Sequence, residues 1–273
     1  MFGNNYYCLV AGLKEYTLDS DAKGFDARAI IDEIKAGVSK EDARTVELLY
    51  GYYDCERVAA RRSGRETKAG LGNLTDEQTD GKGAGAPAWM AATVRAFDDP
   101  EGEDAETVDT SAGFARTLMA AYYDECSRSK SRFMREWAEF DRNLRNVSAA
   151  LKARAMQVPV EEVLVGGGDV AEQLARSSAA DFGLKGELTY IDALIAASEE
   201  HNLLEKEHKI DKIRWEQADE LSWSSYFDID AVLAYLVKVN IVARWMRLDE
   251  KRGREMLGRL TAGLDGKELI NKQ

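Results

Sequence analysis

Residues 163–175 are the one stretch whose small residues have a spacing typical of nucleotide binding. Gly166, Gly168 and Ala171 fit the pattern GxGxxA, in which the glycines let the backbone approach a pyrophosphate at the start of the next helix. Only three apolar residues precede the glycines, and no second parallel strand is predicted after them. We therefore favour a loop between two helices, the second capped by Asp169, over a nucleotide-binding enzyme.

A metal site would need ligands on one face of a helix, and His201, Glu205 and His208 have that spacing. Charged residues surround all three, which is more typical of a solvated helix surface. We therefore expect no metal at these residues and no cofactor elsewhere in the chain.

The three cysteines, Cys8, Cys55 and Cys126, are far apart in the chain and form no CxxC pair. This argues against a disulfide framework and favours a reducing compartment. A cysteine nucleophile needs a histidine beside it in space, and the spacing indicates no such pair. Acidic pairs are too abundant to single out a general acid and a general base. We therefore predict no catalytic residue and a protein that is not an enzyme.

The helix that should organise the fold runs from Phe133 to Met156. Its apolar residues recur at alternating steps of four and three, which makes one stripe for packing against other helices. They are Phe133, Trp137, Phe140, Leu144, Val147 and Leu151. The opposite face places Asp141 and Arg145 at the spacing of a helical ion pair. A second apolar helix, Ile229 to Leu248, is predicted to pack against the first.

Further helices are predicted on both sides of these two. Phe25–Val38 and a following helix capped by Ser39 should form a helical hairpin. Residues 5–13 fit either a short extended segment or a buried segment that enters a helix. Residues 189–219 predict one long or broken helix, and Asp228 is placed to cap the last helix. The predicted fold class is an all-α multi-helix bundle.

Composition divides the chain into three parts. Residues 63–110 are rich in glycine at their start, and seven acids with no base lie between Asp98 and Asp109. Residues 63–86 have little to bury, so together with the acidic run we predict a mobile excursion with one short helix at Ala88–Phe97. It separates an N-terminal helical lobe, residues 1–62, from a main helical domain, residues 111–273.

The formal net charge of −12 disfavours nucleic acid as a general partner, because phosphate binding depends on Lys and Arg. The longest apolar stretch, residues 229–246, contains Asp230, Lys238 and Arg244, so we expect no transmembrane segment. Residues 125–156, by contrast, hold eight bases and four acids. This basic helix predicts a docking face for an acidic partner, with a solvated face of intramolecular ion pairs as the simpler alternative.

Lys238 and Asn240 are polar residues inside an otherwise apolar helix. A polar group in such a place must be hydrogen-bonded or must reach the edge of the bundle. It often fixes the register of packed helices or meets another chain. For Asn240, a local kink or contact with water is an equal alternative.

Four segments resemble a bacterial family whose genes tend to lie among those for a V-type (A/V-type) ATPase. They are Tyr6–Leu13, Phe140–Leu151, Ser177–Leu184 and Phe227–Gly253. That family is itself similar to the C-type subunit of these ATPases, which is known as the d-type subunit in eukaryotes. The likeness to the bacterial family spans nearly the whole chain.

Two short patterns carry the more distant link to the C-type subunit. One is an acidic residue followed by Asn, Leu and Arg, and the other is a closing helix with AYL and a later Arg. Here these are Asp141, Asn143, Leu144 and Arg145, and then Ala234, Tyr235, Leu236 and Arg244. The chain departs from the pattern at Asn240 and Ile241, where C-type subunits usually carry acids, and the glycine-rich excursion has no counterpart.

The resemblance implies an all-helical, funnel-shaped protein at the cytoplasmic face of the cell membrane, between the rotor ring and the central shaft. Such a protein has no catalytic activity and transmits torque during proton or sodium transport. The expected partners are therefore rotor ring and shaft subunits, and a helical assembly factor of the same complex is the alternative. The candidate partner contacts are Arg135, Arg142, Arg145, Lys238, Asn240, Arg244 and Arg247.

Overall fold

The computed structural model describes residues 5–18, 24–65, 70–79 and 85–247, and in these ranges the chain is all-helical with no β-strand. The α-helices are α1 Tyr7–Gly12, α2 Ala27–Gly37, α3 Lys40–Arg62, α4 Ala88–Asp98, α5 Glu103–Thr107, α6 Phe114–Ser127, α7 Arg132–Ala155, α8 Asp169–Arg176, α9 Ile191–Ser198, α10 Leu203–Ser222 and α11 Ile229–Arg247. A single 3-10 turn, Val160–Glu162, lies between α7 and α8. The predicted all-α bundle is confirmed, and α1 is a helix rather than an extended segment. Among the described residues, no helix combines the length and the apolar character needed to cross a lipid bilayer.

The predicted hairpin of α2 and α3 forms as the caps indicate. The hydroxyl of Ser39 accepts a hydrogen bond from the backbone N–H of Asp42, 3.1 Å away, at the start of α3. On α2, the side chains of Ile31 and Ile34 are fully buried, as the helical period requires. The two helices pack directly against each other.

The longest described helix is α7, with 24 residues, and it contacts α6, α8, α9, α10 and α11. Its predicted stripe faces the core, since Phe133, Leu144 and Val147 have no exposed surface. The predicted ion pair on its opposite face is wrong. Asp141 pairs instead with Arg214 of α10, because α10 packs against α7 and brings a cation from outside the helix to this carboxylate.

The predicted helix over residues 189–219 is broken into α9 and α10. The break ends at Asn202, whose side chain accepts a hydrogen bond from the N–H of Leu204, 3.0 Å away, and so caps α10. Asp228 caps α11 as predicted, accepting from the N–H of Ala231 at 3.1 Å. Helix α11 packs on both α10 and α7, which confirms the predicted helix pair. The predicted continuation beyond residue 247 lies outside the described residues.

Residues 163–168 form a loop before α8, as predicted, but Asp169 is not the cap. Gly168 takes the capping position with φ of 109° and Asp169 is the first helical residue. A positive φ of this size is available to glycine and is strained for other residues. The side chain at position 169 therefore starts one residue too late to cap the helix.

The expectation that residues 63–86 have little to bury is wrong for residues 70–79. Leu71 and Leu74 are buried and belong to the same core cluster as the main helices. The short helix predicted at Ala88–Phe97 is confirmed by α4, which packs on α6. The proposed limits between lobe, excursion and main domain stay a prediction.

Two charged residues of α3 hold residues 70–79 in place. The carboxylate of Asp54 accepts hydrogen bonds from the backbone N–H groups of Asn73 and Leu74, both at 3.0 Å. The guanidinium of Arg57 donates to the carbonyl oxygen of Leu74 at 2.6 Å and pairs with Asp76 at 2.7 Å. We call this arrangement the Asp54 clamp. It supplies partners to the backbone polar groups that a buried loop would otherwise leave unsatisfied.

Candidate functional site

A cavity of about 330 Å³ lies where α3, α6, α7, α10 and α11 meet, and we call it the central cavity. One part of its wall is aromatic, formed by Tyr52 and Tyr53 of α3, Tyr122 and Tyr123 of α6, and Trp137 of α7. The other part is charged and comes mostly from α10 and α11. Two of the five helices, α7 and α11, contain the two short patterns identified over residues 141–145 and 234–244 of the sequence.

Asp211 of α10 is the centre of the charged wall, and only 1% of its surface is exposed. One carboxylate oxygen accepts from Arg214 at 3.1 Å, and the other accepts from Arg244 at 2.6 Å and from the indole N–H of Trp245 at 3.0 Å. A buried carboxylate is tolerated when it has such partners. Asp211 therefore joins α10 to α11 at the level of the cavity.

The two arginines extend this chain of charges in both directions. The Nε of Arg214 lies 3.5 Å from a carboxylate oxygen of Asp141 on α7, and Arg244 also pairs with Glu207. Burial alone lowers the pKa of Arg214, but the charges of Asp141 and Asp211 outweigh it and raise the pKa above its ordinary value. The guanidinium stays charged, and α7, α10 and α11 are tied by one chain of ion pairs.

The tyrosines of the aromatic wall are protonated hydrogen-bonding groups. The hydroxyl of Tyr123 donates to Asp141 at 2.7 Å, and Arg145 donates to the hydroxyl oxygen of Tyr52 at 3.3 Å. Burial is the main cause that raises the pKa of Tyr52, Tyr53 and Tyr123. The phenols therefore carry no charge at neutral pH.

Glu56 is the carboxylate of the cavity wall that lies on α3; the residue has exposed surface, but surrounding groups partly desolvate its carboxylate. It forms no ion pair with any residue in the described ranges. Desolvation raises the pKa of Glu56, while a side-chain hydrogen bond with Tyr52 and the charge of Arg145 act in the opposite direction. Of the four carboxylates that line the cavity, Glu56 is therefore the one whose negative charge is least neutralised by neighbouring cations.

Asn240 lies beside this cavity and is hydrogen-bonded inside the molecule. Its side-chain oxygen accepts from the hydroxyl of Tyr50, 2.9 Å away on α3, and Tyr50 is fully buried. This bond links α11 to α3 and gives Asn240 the hydrogen bond that a polar group in an apolar helix needs; a role in fixing helix register stays a prediction. The other polar residue, Lys238, pairs with Asp219 of α10 and lies 5.1 Å from the ring centroid of Trp215.

The remaining candidate partner contacts, Arg135, Arg142 and Arg247, do not line the cavity, although the charge of Arg247 acts on Tyr53 of its wall. Arg142 packs against the glycine loop, and its Nε is buried without a hydrogen bond. Arg135 is exposed and donates to the carbonyl oxygens of Ser129 at 2.7 Å and of neighbouring residues at the start of α7. Arg247 is exposed at the end of α11. Contact of any candidate with another chain stays a prediction.

The structure does not bring His201, Glu205 and His208 together as a metal site. Within the ranges that the structure describes, no group of three or more His, Cys, Asp or Glu is placed to hold a metal ion. His208 lies against Trp245, with ring centroids 5.6 Å apart.

The cysteines are free thiols in the described part of the chain, and two of them are buried in the core. Burial raises the pKa of Cys126 to about 12 and that of Cys55 well above its ordinary value. Both thiols are therefore protonated at neutral pH, and a protonated thiol is a poor nucleophile. Cys8 is exposed.

Sequence reasoning missed Glu56, Asp211 and Arg214 as residues of one site. A signal was present for Asp211, because a charged residue at a core position of an amphipathic helix needs a partner of opposite charge. No comparable signal marked Glu56, which looks like one of many surface acids on a helix.

A family model described as "Protein of unknown function (DUF2764)" matches residues 3–264, which is nearly the whole chain. No curated protein matches the chain, and no solved structure does.

Proposed function

We propose that this chain, which belongs to the DUF2764 family, is a non-catalytic central-stalk component of a V-type (A/V-type) ATPase. It would lie at the cytoplasmic face of the cell membrane and couple the catalytic head and shaft to the rotor ring during proton or sodium transport. The proposal starts from the resemblance of Phe140–Leu151 and Phe227–Gly253 to the C-type subunit.

The observation that carries the proposal is the chain of ion pairs between these two segments. Asp141 belongs to the first segment and Arg244 to the second, and Arg214 and Asp211 of α10 join them. A coupling protein must keep its helices in register under torque. Buried polar pairs favour one register over shifted ones, because a shift would leave charges without partners. This is the kind of cross-link that such a role needs.

The packing along α7 supports the same role. Phe133 and Trp137 stack with ring centroids 5.9 Å apart, and Phe140 meets Trp137 at 5.2 Å and Tyr190 at 5.0 Å. Close-packed interiors have low compressibility and transmit strain. An aromatic column of this kind suits an element that passes on force.

A partner surface is suggested at the end of α10. Trp223 is 74% exposed and Tyr226 is 69% exposed in the loop before α11. The ring of Phe227 lies 4.7 Å from that of Tyr7, which is also exposed. Exposed aromatic clusters are typical of protein–protein interfaces. We assign this cluster to contact with a component of the ring or the shaft.

The decisive experiment is purification of the tagged chain from its own host in mild detergent. We expect ring and shaft subunits to be recovered in fixed stoichiometry, within a complex that hydrolyses ATP and moves ions. The double variant Trp223→Ala/Tyr226→Ala should lose them. A matched control, Leu203→Ala/Leu204→Ala, removes exposed apolar side chains at the other end of α10 and should retain them.

The possible results separate the proposals. Recovery of neither ring nor shaft subunits with a folded protein would contradict a role in this complex. Recovery only with partly assembled complexes, and absence from the active enzyme, would indicate an assembly factor. Deletion of the gene should leave ATP hydrolysis by the head while abolishing coupled ion transport.

A further inference from the structure

The central cavity has a volume of about 330 Å³, and its wall combines tyrosine rings with charged side chains. We propose that it binds a small organic ammonium compound, with Glu56 as the charge partner and the tyrosine rings as the aromatic wall. This inference is independent of the proposed coupling role, since a coupling protein works with the cavity empty or filled.

The charge of the wall favours a cation. Four carboxylates line the cavity but only two guanidinium groups do, those of Arg214 and Arg244. Two further cations act on the tyrosines from outside the lining, Arg145 on Tyr52 and Arg247 on Tyr53. Glu56 is the carboxylate of the lining that forms no ion pair with a described residue, and in a partly desolvated space its charge attracts a cation more strongly than it would in water.

Neither arginine of the wall is free to bind an anion. Arg214 is paired with Asp141 and Asp211, and Arg244 with Asp211 and Glu207. Glu56, in contrast, has no ion pair within the described part of the chain. Its hydrogen bond is with the neutral phenol of Tyr52, and a bound cation would add the ion pair that this carboxylate lacks.

The aromatic wall indicates an organic cation rather than a metal ion. Tyr52 meets Tyr53 and Tyr122 edge to face, with ring centroids 5.5 Å and 6.1 Å apart, and Tyr122 meets Tyr123 at 5.3 Å. Ammonium groups bind to the faces of such rings. The described residues offer no cluster of metal ligands here. The volume of about 330 Å³ lies at the lower end of small-molecule pockets, which suits a small amine.

Isothermal titration calorimetry of the full chain tests the inference with choline and 1,4-diaminobutane as probes. We expect saturable binding of an ammonium probe with a dissociation constant below about 1 mM. The neutral 1,4-butanediol and the anion succinate should not bind. Absence of binding by both amines, or equal binding of the diol, would overturn the proposal.

Variants then locate the bound probe. Glu56→Gln should weaken binding about tenfold or more, because it removes the charge partner at similar shape. The matched control Glu139→Gln removes one exposed carboxylate from α7, outside the cavity wall, and should bind as the wild type does. Equal binding by Glu56→Gln would refute the assignment of Glu56.

A second pair of variants tests the aromatic wall. Tyr53→Phe keeps the ring and should retain the affinity, whereas Tyr53→Leu should lower it by about tenfold. Circular dichroism and thermal unfolding establish that each variant is folded. A folded Tyr53→Leu that binds choline like the wild type would show that the rings take no part. The probe should also raise the melting temperature of the wild type more than that of Glu56→Gln.

Discussion

The Asp54 clamp and the central cavity are two clusters of charged residues that use the same helix, α3, in different ways. In the clamp, the carboxylate of Asp54 accepts hydrogen bonds from the backbone N–H groups of Asn73 and Leu74. A Cβ atom added at Gly72 would overlap that carboxylate. The clamp therefore leaves no room for a side chain at position 72, although Asp54, Asn73 and Leu74 also border a second cavity of about 1410 Å³.

The central cavity is built from charges that pair with one another across helices. Asp211 receives Arg214, Arg244 and Trp245, and empty space of about 330 Å³ remains beside them. Glu56 adds a carboxylate without an ion pair among the described residues. The carboxylates Asp141 and Asp211 at the centre of the cavity have ion-pair partners, whereas Glu56 at its edge has none in the described ranges.

This difference in partners indicates which carboxylates are needed for the stability of the fold and which are available to bind a ligand. Where a carboxylate meets backbone groups and packing is tight, its removal leaves those groups unpaired and the fold must lose stability. Where charged side chains pair with one another, a second ion pair remains after one partner is lost, as Arg214 keeps Asp141 and Arg244 keeps Glu207. The comparison can be tested by removing one group at a time.

Asp54→Ala should have the largest effect. It leaves two backbone N–H groups without their acceptor in a buried site, so we expect a loss of about 3 kcal/mol in the free energy of unfolding. Denaturant titration followed by circular dichroism measures it. The control Asp76→Ala removes a carboxylate that is 68% exposed and should cost less than about 1 kcal/mol. Equal losses for the two variants would mean that the backbone N–H groups of Asn73 and Leu74 do not depend on Asp54 as their acceptor.

Gly72→Ala tests the tightness of the clamp without removing a charge. The added methyl group must displace the carboxylate of Asp54, and such overpacking should cost about 2 kcal/mol. Gly167→Ala is the control, because nothing lies within 4 Å of a Cβ added there. The thermal unfolding midpoints of both variants give the comparison. An unchanged midpoint for Gly72→Ala would show that residues 70–79 can shift to accommodate the methyl group without loss of stability.

Asp211→Ala should cost less than Asp54→Ala, although both carboxylates are 1% exposed. Arg214 keeps Asp141 and Arg244 keeps Glu207, and the adjoining cavity admits water. We expect a loss of about 1.5 kcal/mol in the free energy of unfolding by denaturant titration. Asp219→Ala, which loses only the exposed pair with Lys238, is the control. A loss larger than that of Asp54→Ala would reverse the comparison.

Glu56→Gln should have the smallest effect on the free energy of unfolding, and it should raise this free energy where the other variants lower it. Desolvation raises the pKa of Glu56 in the folded chain, so the folded state binds this proton more tightly than the unfolded state and the charged form costs stability at neutral pH. The variant should gain less than about 1 kcal/mol at pH 7. The gain should shrink as the pH falls through the raised pKa. Unfolding measured from pH 7 to about 4 checks this, with Glu139→Gln as the control.

Local patterns predicted much of the helical framework. Ser39 and Asp228 cap α3 and α11 as expected, and the apolar stripe of α7 is buried. The glycine-rich stretch was misjudged, because its composition hides the fact that Asp54 and Arg57 stabilise residues 70–79. The ion pair expected for Asp141 within α7 was wrong because a neighbouring helix supplies its cation.

The sequence by itself determined the helices, their caps and the faces that they bury, because these depend on residues no more than about four positions apart. Only the tertiary structure decided which charged residues pair with one another. Tyr50 and Asn240, 190 positions apart, form one hydrogen bond, and the wall of the central cavity comes from five helices. Such a site arises from the packing of helices, and the spacing within any one of them does not encode it.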